Sequence, residues 1–468
     1  MKKNKLLKFS MIFFIVSLAL FCISFYKMEP DYLWHIKAGE YIFHHGLLKK
    51  DIFSWIIPGK YWMSHEWLFE LIIYSLKYIF GKFHILIYCS ICVFSLFFIL
   101  FYTNKSNIKK NILFSLIWIS LVVLMLFSIQ ARPHLISNCL LALTIYFLYD
   151  LYNNEDSKKI YLLPIVQIIW ANVHGGSSNL VYIFCLLFFI IGLFNFKFKK
   201  IESKRLKKKQ LIKYFIVFMV CCLSVIINIH GIKMFIYPYQ NMMDSTMINN
   251  IAEWTSTSLN DPYHYIYYGF ILLIFIIMLF SDKRIRFIDF VLFLISIYLG
   301  LKSIRFWFYT YIIASYYIYN YVNKRNEDDG TELGICILSI LFSMFFIFRV
   351  NNIINVKYSY LLSSEDIKAI KSFKANRLFN MYDYGGDLIY NDIDVFVDGR
   401  ADLYSKYNYK DYLNITNLDK DYVSLIKKYD FDYMLIDDRF SIGTYLKYTN
   451  DYQLLYSNKH IKIYKKMN

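Results

Sequence analysis

The chain has 468 residues, of which 57% are hydrophobic and 19% are charged, and its formal net charge is +17. This apolar content, gathered in long runs, excludes an ordinary soluble protein and indicates an integral membrane protein. The charge does not indicate a nucleic-acid partner, because residues 351–468 hold 17 basic and 16 acidic residues and the excess lies in the apolar part. Short basic loops there orient helices toward the cytoplasm.

Eleven membrane-spanning helices are predicted in chain order. We expect the first, residues 9–26, to be a retained anchor, because no small-x-small cleavage site follows it. The other ten are expected near 83–102, 111–129, 135–151, 160–172, 178–196, 210–229, 263–281, 287–302, 304–322 and 333–349. All eight cysteines lie in these apolar runs, so disulfides are not expected.

The apolar segment 67–80 is interpreted as an amphipathic surface helix and not as a span. Counting it as a span would place the loop 197–209, which has eight lysines and arginines, outside the cell, against the positive-inside tendency. The N-terminus is then cytoplasmic and the C-terminal tail extracytoplasmic. All ten histidines fall on the outer side in this scheme.

The sequence therefore predicts an α-helical polytopic membrane protein with a small extracytoplasmic α/β domain. Residues 1–350 form the transmembrane domain, whose outer loop 27–82 carries juxtamembrane helices, and residues 351–468 form the soluble domain. Patterns in the tail predict strands at 376–381, 395–397 and 431–436, a helix at 420–428 and a hairpin across 452–464.

The first outer loop carries candidate acid–base residues. Asp31 and His35 are four residues apart and share one face of a helix. A carboxylate at the membrane boundary is costly unless it is paired or used, and Asp31 could take a proton from an attacking hydroxyl. A helix cap or an interfacial ion pair is the structural alternative. His65 and Glu66 could join them around a divalent metal, but the spacing matches no zinc motif, so no metal ligand is assigned.

Two arginines lie between apolar runs at the predicted outer surface, Arg132 and Arg305. Arginine binds phosphate through two parallel hydrogen bonds, so these residues indicate a lipid phosphate or pyrophosphate, with snorkelling toward headgroups as the alternative. His174 precedes Gly175 and Gly176 in a polar break, which is tolerated at membrane depth only inside protein or a water-filled cavity.

In the tail, the densest polar motifs are Asp383-Tyr-Gly385-Gly386 and Asp398-Gly399-Arg400. They predict tight turns, with contact to a substrate as the alternative for Asp398 and Arg400. The sequence contains neither a P-loop nor a GxSxG motif, which weighs against ATP-driven transport and serine hydrolysis.

A family of bacterial multi-pass membrane proteins is similar to this chain in its short motifs. These are Asp31-x-x-Trp34-His35-x-x-x-Gly39, Asp51-x-Phe53-Ser54, His65-Glu66-Trp67-Leu68, Arg132-Pro133, Trp170-Ala-Asn-x-His174-Gly175-Gly176, and Gly385-Gly386 with Asp398-Gly399-Arg400. The layout, with one span, a long outer loop that opens with an acidic residue, many spans and an outer tail, resembles the GT-C superfamily of membrane glycosyltransferases.

That resemblance implies an inverting hexosyl- or pentosyltransferase in the bacterial plasma membrane. It would take sugar from a polyprenyl-phosphate carrier and pass it to a cell-surface glycan, lipid or protein, with membrane lipids as further partners. In the superfamily the early acidic residue is typically the catalytic base, which maps onto Asp31. Because Tyr32 stands where a second acid is often seen, Glu66 stays an alternative base. The expected ligands of the donor or its phosphate are His35, His65, Arg132, His174, Arg305, Asp398 and Arg400.

Two other functions fit the same sequence. The broken span 160–176 and the charged span ends also suit a transporter or flippase of lipid-linked glycans. A non-enzymatic envelope-assembly protein, whose tail recruits partners, is the third hypothesis.

Overall fold

The structure is a computed structural model that describes residues 2–25, 29–122, 129–251, 254–322, 331–354 and 361–467. Helices and strands are numbered in chain order. The helices are α1 (Lys2–Ile23), α2 (Asp31–His45), α3 (Trp67–Phe80), α4 (His84–Lys110), α5 (Ile112–Ser120), α6 (His134–Asn153), α7 (Leu163–Val173), α8 (Leu180–Gly192), α9 (Lys208–Ser224), α10 (Lys233–Met243), α11 (Ser245–Asn250), α12 (Tyr265–Phe280), α13 (Phe287–Lys302), α14 (Trp307–Tyr317), α15 (Thr331–Ile354), α16 (Ser364–Phe373), α17 (Gly385–Tyr390), α18 (Ala401–Tyr404), α19 (Tyr409–Asn417), α20 (Tyr422–Tyr429) and α21 (Ser441–Tyr448). The strands are β1 (Phe196–Phe198), β2 (Ile201–Ser203), β3 (Ile285–Arg286), β4 (Leu378–Asn380), β5 (Tyr433–Asp437), β6 (Tyr452–Asn458) and β7 (Ile461–Lys466).

The chain divides into two compact units. The first, here called the helical unit, consists of Met1–Lys27, Lys82–Met242 and Ile248–Val356. The second, here called the α/β unit, consists of Met28–Gly81, Met243–Met247 and Lys357–Asn468.

Each of the eleven predicted spans coincides with a helix of the helical unit, namely α1, α4 to α9 and α12 to α15. In the predicted span 111–129, residues 123–128 lie outside the described residues. Among the described residues, four helical stretches are long and apolar enough to cross a membrane: Trp67–Asn107, His134–Asn153, Gly175–Gly192 and Pro262–Phe280. Shorter apolar helices occur at Phe9–Ile23, Lys159–Val173 and Gly334–Arg349. A mostly helical protein with membrane-spanning character is confirmed, and the count of eleven stays a prediction.

Helix α3 corresponds to the segment predicted as a surface helix. Its 14 residues extend about 21 Å at 1.5 Å per residue, which is shorter than the roughly 30 Å hydrocarbon core of a bilayer. One side buries Phe69, Glu70, Ile73 and Tyr74, while its last turn is exposed. The helix is therefore buried on one side, and its assignment as an amphipathic surface helix and not a span stays a prediction.

Three loops predicted to face the cytoplasm meet at one end of the helical unit. Strand β2, in the loop between α8 and α9, pairs in parallel with β3, in the loop between α12 and α13, with Ile201 beside Ile285. Lys207 also forms an ion pair with Glu155 in the loop between α6 and α7. Loops on one side of a membrane can meet in this way, so the helix directions agree with the predicted alternation.

Loops predicted to face outward also contact one another. Thr257 N, which precedes α12, donates a hydrogen bond of 2.9 Å to Leu301 O at the end of α13. Tyr88, in the first turns of α4, donates a hydrogen bond of 2.8 Å from its hydroxyl to Arg132 O, which precedes α6. Which end faces the cytoplasm stays a prediction.

A four-stranded sheet in the order β4-β5-β7-β6 forms the centre of the α/β unit. β4 and β5 are parallel, whereas β7 is antiparallel to both β5 and β6. The middle of β5 is fully buried and apolar (Met434, Leu435 and Ile436), as expected for a strand covered on both faces. The strands predicted at 376–381 and 431–436, the helix at 420–428 and the hairpin across 452–464 are confirmed as β4, β5, α20 and β6–β7.

The strand predicted at 395–397 is wrong. The structure shows only an isolated bridge between Val395 and Ser54. The side chain of Asn380 replaces a regular ladder, because its Oδ1 accepts from Phe396 N at 2.8 Å and its Nδ2 donates to Val397 O at 2.7 Å. The segment is apolar and buried like a strand, and its remaining backbone groups bond to Asn408, which donates to Phe396 O, and to the first loop, where Phe53 O accepts from Val395 N.

The first loop shares one hydrophobic core with the tail. Trp34, Phe53 and Trp62 belong to the same buried cluster as the residues of β4 and β5, and Trp55 Nε1 donates a hydrogen bond of 3.0 Å to Leu378 O. By its contacts, loop 28–81 belongs to the α/β unit. The sequence grouped this loop with the spans because it lies between two of them along the chain, and independent folding of residues 351–468 stays a prediction.

The predicted sidedness can be checked by cysteine labelling in intact cells. In a background without the eight native cysteines, Lys204→Cys should resist a membrane-impermeant maleimide, because its basic loop is expected in the cytoplasm. Lys406→Cys in the α/β unit should react. Both native side chains are exposed, so burial does not limit the reaction, and both variants should label fully in permeabilised cells. Labelling of Lys204→Cys in intact cells would invert the scheme.

Candidate active site

Four titratable side chains form a row in the α/β unit. His65 Nε2 lies 3.2 Å from Glu66 Oε1, and Glu66 Oε2 lies 3.6 Å from His35 Nε2. On its other side, His35 Nδ1 lies 3.7 Å from Glu70 Oε1. Side-chain exposure falls from 18% for His65 and 13% for Glu66 to 4% for His35 and 0% for Glu70. The row therefore runs from the surface into the core.

A close approach of α2 and α3 produces this row. A Cβ on Gly39 would lie 2.1 Å from Glu70 O, so only glycine allows the two helices to pack here. Glu66 is the N-cap of α3 and Glu70 lies in its first turn, and His35 lies one turn before Gly39 on α2. Sequence analysis missed Glu70 because it stands in an apolar run, although its spacing from Glu66 was a usable signal.

The surface end of the row is an ion pair. Burial lowers the pKa of His65, but the charge and hydrogen bond of Glu66, with a contribution from Asp402, raise it more, so that the pKa lies at about 9. His65 is therefore protonated at neutral pH. Glu66 thus faces a cation 3.2 Å from its Oε1.

Asp31 occupies the first turn of α2, where the helix dipole favours a carboxylate. Its side chain packs against Gly399, because a Cβ at that glycine would lie 2.0 Å from Asp31 Oδ1 and 2.9 Å from Trp34 Nε1. Trp34 Nε1 is buried and has no hydrogen-bond partner among the described residues. Asp31 itself is half-buried. Its Oδ1 therefore packs against Gly399, and part of the residue is still exposed to solvent.

Asp398 and Arg400 are buried, with 0% and 1% exposure. Arg400 Nε and Nη2 donate to the two oxygens of Asp398 at 2.8 and 2.6 Å, and Nη1 donates to Asp51 Oδ1 at 2.6 Å. The guanidinium also lies over the rings of Trp62 and Phe53, 4.7 and 5.1 Å from their centroids. The structure thus gives both residues partners inside the unit, and their contact with a substrate stays a prediction.

The two glycines Gly385 and Gly386 allow α17 to pack closely against Asp398 and Pro30. Gly385 and Gly386 were expected in a tight turn, but they begin α17, and Gly385 has a helical φ of −55°. A Cβ on Gly385 would lie 2.4 Å from Asp398 Cβ, and one on Gly386 would lie 2.5 Å from Pro30 O. The motifs that are far apart in sequence therefore meet around the start of α2.

In the helical unit, His174 ends α7 and contacts a second helix. His174 Nδ1 lies 2.7 Å from Ser137 Oγ in the first turn of α6 and 3.2 Å from Ser177 Oγ. Trp170 Nε1 donates to both hydroxyls, at 3.0 and 3.1 Å. Ser137 Oγ in turn lies 3.3 Å from Pro133 O, to which it donates. The polar break predicted from sequence is thus enclosed by protein.

Arg305 completes this cluster. Its Nη2 lies 3.3 Å from His174 Nε2, and because a guanidinium only donates, Nε2 is the acceptor and Nδ1 carries the imidazole proton. The guanidinium also lies 4.7 Å from the centroid of Trp254. Arg305 is half-buried, so neutral His174 and Trp254 orient a positive charge that is still partly accessible.

Several helices begin at this cluster. Helix α6 starts at His134, just after Arg132, and α14 starts at Trp307, just after Arg305. Helix α8 starts at Leu180, after the break. Helix N-termini carry partial positive charge and bind anions readily. The structure thus brings His174 and Arg305 together, and it places Arg132, which is half-buried, at a helix start of the same unit.

Among the described residues, one group has the spacing of metal ligands. The ligand atoms of Asp437, Asp438 and His460 lie within 4.8 Å of one another. Asp437 is paired with Arg439, and Asp438 with Lys462, so ion pairs account for this group. Neither Asp31 nor Glu66 belongs to such a group in the described part of the chain.

Comparison with protein families and with curated proteins gives no match. Comparison with solved structures gives a match to the apo oligosaccharyltransferase of Archaeoglobus fulgidus, with a TM-score of 0.51, 11% identity, and coverage of 97% of this chain and 74% of that one. The oligosaccharyltransferase AglB of the same organism, in complex with an inhibitory peptide and a dolichol-phosphate, gives a TM-score of 0.49, 10% identity, and coverage of 98% and 74%. The apo enzyme is a glycosyltransferase of the GT-C superfamily. At this identity the likeness is one of fold alone, and the fold neighbours of this chain are GT-C-like.

The Arg400 cluster predicts a large loss of stability on substitution. Arg400→Met should lower the free energy of unfolding by about 3–5 kcal/mol, because it leaves two buried carboxylates without their cation. Arg377→Met is the matched control, since Arg377 forms an exposed pair with Asp430 that is worth about 0–1 kcal/mol. Urea unfolding of the detergent-purified chain measures both. Equal losses in the two variants would contradict the structural role of Arg400.

Asp387 predicts a pH-dependent stability. Burial raises its pKa from 3.8 to about 7 despite hydrogen bonds from Leu361 and Leu362. The folded state holds this proton between about pH 4 and 7 while the unfolded state loses it, so the free energy of unfolding should fall as pH rises through this window. Asp387→Asn should remove the dependence and stabilise the chain at pH 8 by up to about 4 kcal/mol.

Thermal unfolding of both proteins between pH 4 and 8 measures the effect. Asp392→Asn is the control, because Asp392 is an exposed aspartate of the same unit, with 72% side-chain exposure. Parallel pH profiles of the native chain and Asp387→Asn would contradict the prediction.

Proposed function

We propose that this chain is a membrane glycosyltransferase that moves a sugar from a polyprenyl-phosphate carrier to a cell-surface glycan, lipid or protein at the outer face of the bacterial plasma membrane. The fold supports the proposal, because the solved structure that it resembles is an oligosaccharyltransferase. The observation that carries it is Arg305, a half-buried guanidinium oriented by His174 and Trp254 beside the start of a helix.

Arg305 suits a phosphate for electrostatic reasons. His174 accepts one hydrogen bond from the guanidinium without adding charge, and among the described residues no carboxylate forms an ion pair with Arg305, so its positive charge is proposed to bind an anion. A phosphate that leaves an anomeric carbon gains negative charge in the transition state, and fixed donors stabilise that charge most effectively. Arg132, which directly precedes α6, is proposed as the second phosphate ligand.

Asp31 is proposed as the catalytic base. It is half-buried and lies against Gly399, and it is the early acidic residue at which the GT-C resemblance places the base. In the proposed reaction, an acceptor hydroxyl attacks the anomeric carbon and passes its proton to Asp31. The bond from that carbon to the phosphate oxygen breaks, and the phosphate leaves with the electron pair. Direct displacement inverts the anomeric configuration.

His35, His65 and Glu66 are proposed to bind the donor or the acceptor near the base, and His174 to position Arg305. The contact of Asp398 and Arg400 with the substrate, predicted from the sequence, is not needed in this proposal, because their charged groups pair with each other and with Asp51 below the surface. They hold Gly399, on which the side chain of Asp31 lies.

Substitution of Asp31 and Arg305 tests the proposal. Asp31→Asn should reduce sugar transfer at least about a hundredfold, because it removes the base. Arg305→Lys should reduce it about ten- to a hundredfold, because an ammonium cannot reproduce the planar two-point contact with phosphate. The measurement is the surface-glycan profile of a deletion strain complemented with each variant, followed by transfer from a polyprenyl-phosphate sugar in purified membranes.

Two further variants act as controls. Lys302→Met removes an exposed cation three residues from Arg305 and should leave transfer unchanged. Gly399→Ala keeps every charge but displaces the Asp31 carboxylate, so it should impair transfer as Asp31→Asn does. Normal transfer by Asp31→Asn at normal expression would remove Asp31 from the catalytic role.

The polar break at His174 also suits a flippase of lipid-linked glycans. The transfer assay with the purified chain distinguishes a flippase from an enzyme. An enzyme forms a new glycosidic bond in detergent solution. A flippase needs a sealed bilayer and forms no bond. Lipid translocation without bond formation by the purified chain would favour the second function.

A further inference from the structure

The three-stranded sheet of the helical unit joins two basic loops into one surface. β1 and β2 form a hairpin whose turn is Lys199-Lys200, and β2 pairs with β3, which directly follows Lys283 and Arg284. Together, residues 196–209 and 282–286 hold eleven basic residues and two acidic ones. The pairing of β2 with β3 therefore concentrates positive charge that the sequence distributes over two loops 70 residues apart.

Most of this charge is not neutralised within the protein. Lys207 and Lys209 pair with Glu155 and Asp156, and Lys200 donates to a backbone carbonyl. Arg286 pairs with Asp289, and the other seven basic side chains are exposed and form no ion pair with a described residue. Lys208 is the first residue of α9. The remaining six, here called the basic surface, are Lys197, Lys199, Lys204, Arg205, Lys283 and Arg284. Glu202, opposite Lys197 in the hairpin register, offsets one charge.

Exposed aromatic side chains border the basic surface. Phe198, next to the hairpin turn, is 63% exposed, Phe194 is 47% exposed and Phe280, at the end of α12, is 76% exposed. Lys199 Nζ lies 5.7 Å from the centroid of the Phe198 ring. Aromatic and basic side chains at the ends of apolar helices are the pattern of a membrane interface. A soluble anion would need the charge alone and would leave these rings in water.

The hairpin turn contains a lysine with a left-handed backbone conformation. Lys199 has φ +49°, in the left-handed region that glycine and asparagine adopt at lower cost. A lysine at this position brings its charge to the outermost point of the hairpin. Lys199→Asn removes that charge without adding strain, which makes it a clean substitution for a test.

We propose that the basic surface binds the headgroups of anionic phospholipids. Phe198 and Phe194 lie among the upper acyl chains, and the six basic side chains contact the phosphates. Each lysine or arginine near an anionic membrane surface adds attraction, so the cluster selects anionic over zwitterionic lipid. This surface anchors the loop end of α8, α9, α12 and α13, and the proposal does not depend on the proposed enzymatic function.

The test compares lipid retention by the full chain in nanodiscs of phosphatidylcholine alone and of phosphatidylcholine with phosphatidylglycerol. A variant with Lys197→Gln, Lys199→Asn, Lys204→Gln and Arg205→Gln should retain roughly tenfold less phosphatidylglycerol than the native chain by native mass spectrometry. Phosphatidylglycerol should also raise the unfolding temperature of the native chain but not that of the variant. The matched control carries four exposed lysines of the α/β unit changed to glutamine: Lys368, Lys406, Lys420 and Lys447.

Three outcomes would overturn the proposal. The first is equal retention of phosphatidylglycerol by the native chain and the variant. The second is an equal loss in the control, which would show that net charge and not this surface attracts the lipid. The third is equal stabilisation of the native chain by inorganic phosphate in phosphatidylcholine nanodiscs, which would identify a site for free phosphate. A loss of folding is excluded if the variant and the native chain unfold at the same temperature in phosphatidylcholine.

Discussion

The α/β unit depends on one buried guanidinium. Arg400 holds the carboxylates of Asp51 and Asp398 together inside a shell of aromatic rings. Ions that are removed from water lose several kcal/mol of hydration, and this loss is recovered only when every donor is paired with good geometry. The arrangement therefore tolerates very little displacement. Gly399 lies between two members of this cluster along the chain, so its backbone is held where Asp31 packs against it.

In the helical unit, the buried polar groups around His174 are neutral and satisfy one another by hydrogen bonds. Two serines, an indole N–H and one histidine tautomer satisfy one another around His174 without any net charge. The partners of Arg305 among the described residues, His174 and Trp254, are neutral as well, which is why a phosphate is proposed as its ligand. In the α/β unit, by contrast, the charges of Arg400 are matched by carboxylates from both sides. The two clusters are built from similar residue types, yet only one leaves a cation available.

Sequence patterns predicted the elements better than the interactions between them. Hydropathy and basic loops located a helix at each of the eleven expected spans, because apolar length and charge are local properties of the chain. The acid–base residues near Asp31 were found for the same reason. Glu70 was missed, since it stands in an apolar run. The burial of Arg400 could not be predicted, because two of the rings beside it, Phe53 and Trp62, and one of its carboxylates, Asp51, come from the first loop.

The bond between Arg400 and Asp51 joins residues that are 349 positions apart. At 5–20 residues per second, a ribosome needs about 20–70 s to make the partner after the first residue has emerged. During that time Trp34, Phe53 and Trp62 have no tail to cover them, and Asp51 has no cation. The first loop must therefore stay in a non-native state until residue 400 has been made. A chain that stops before that residue leaves the apolar side chains of this loop without the tail that covers them.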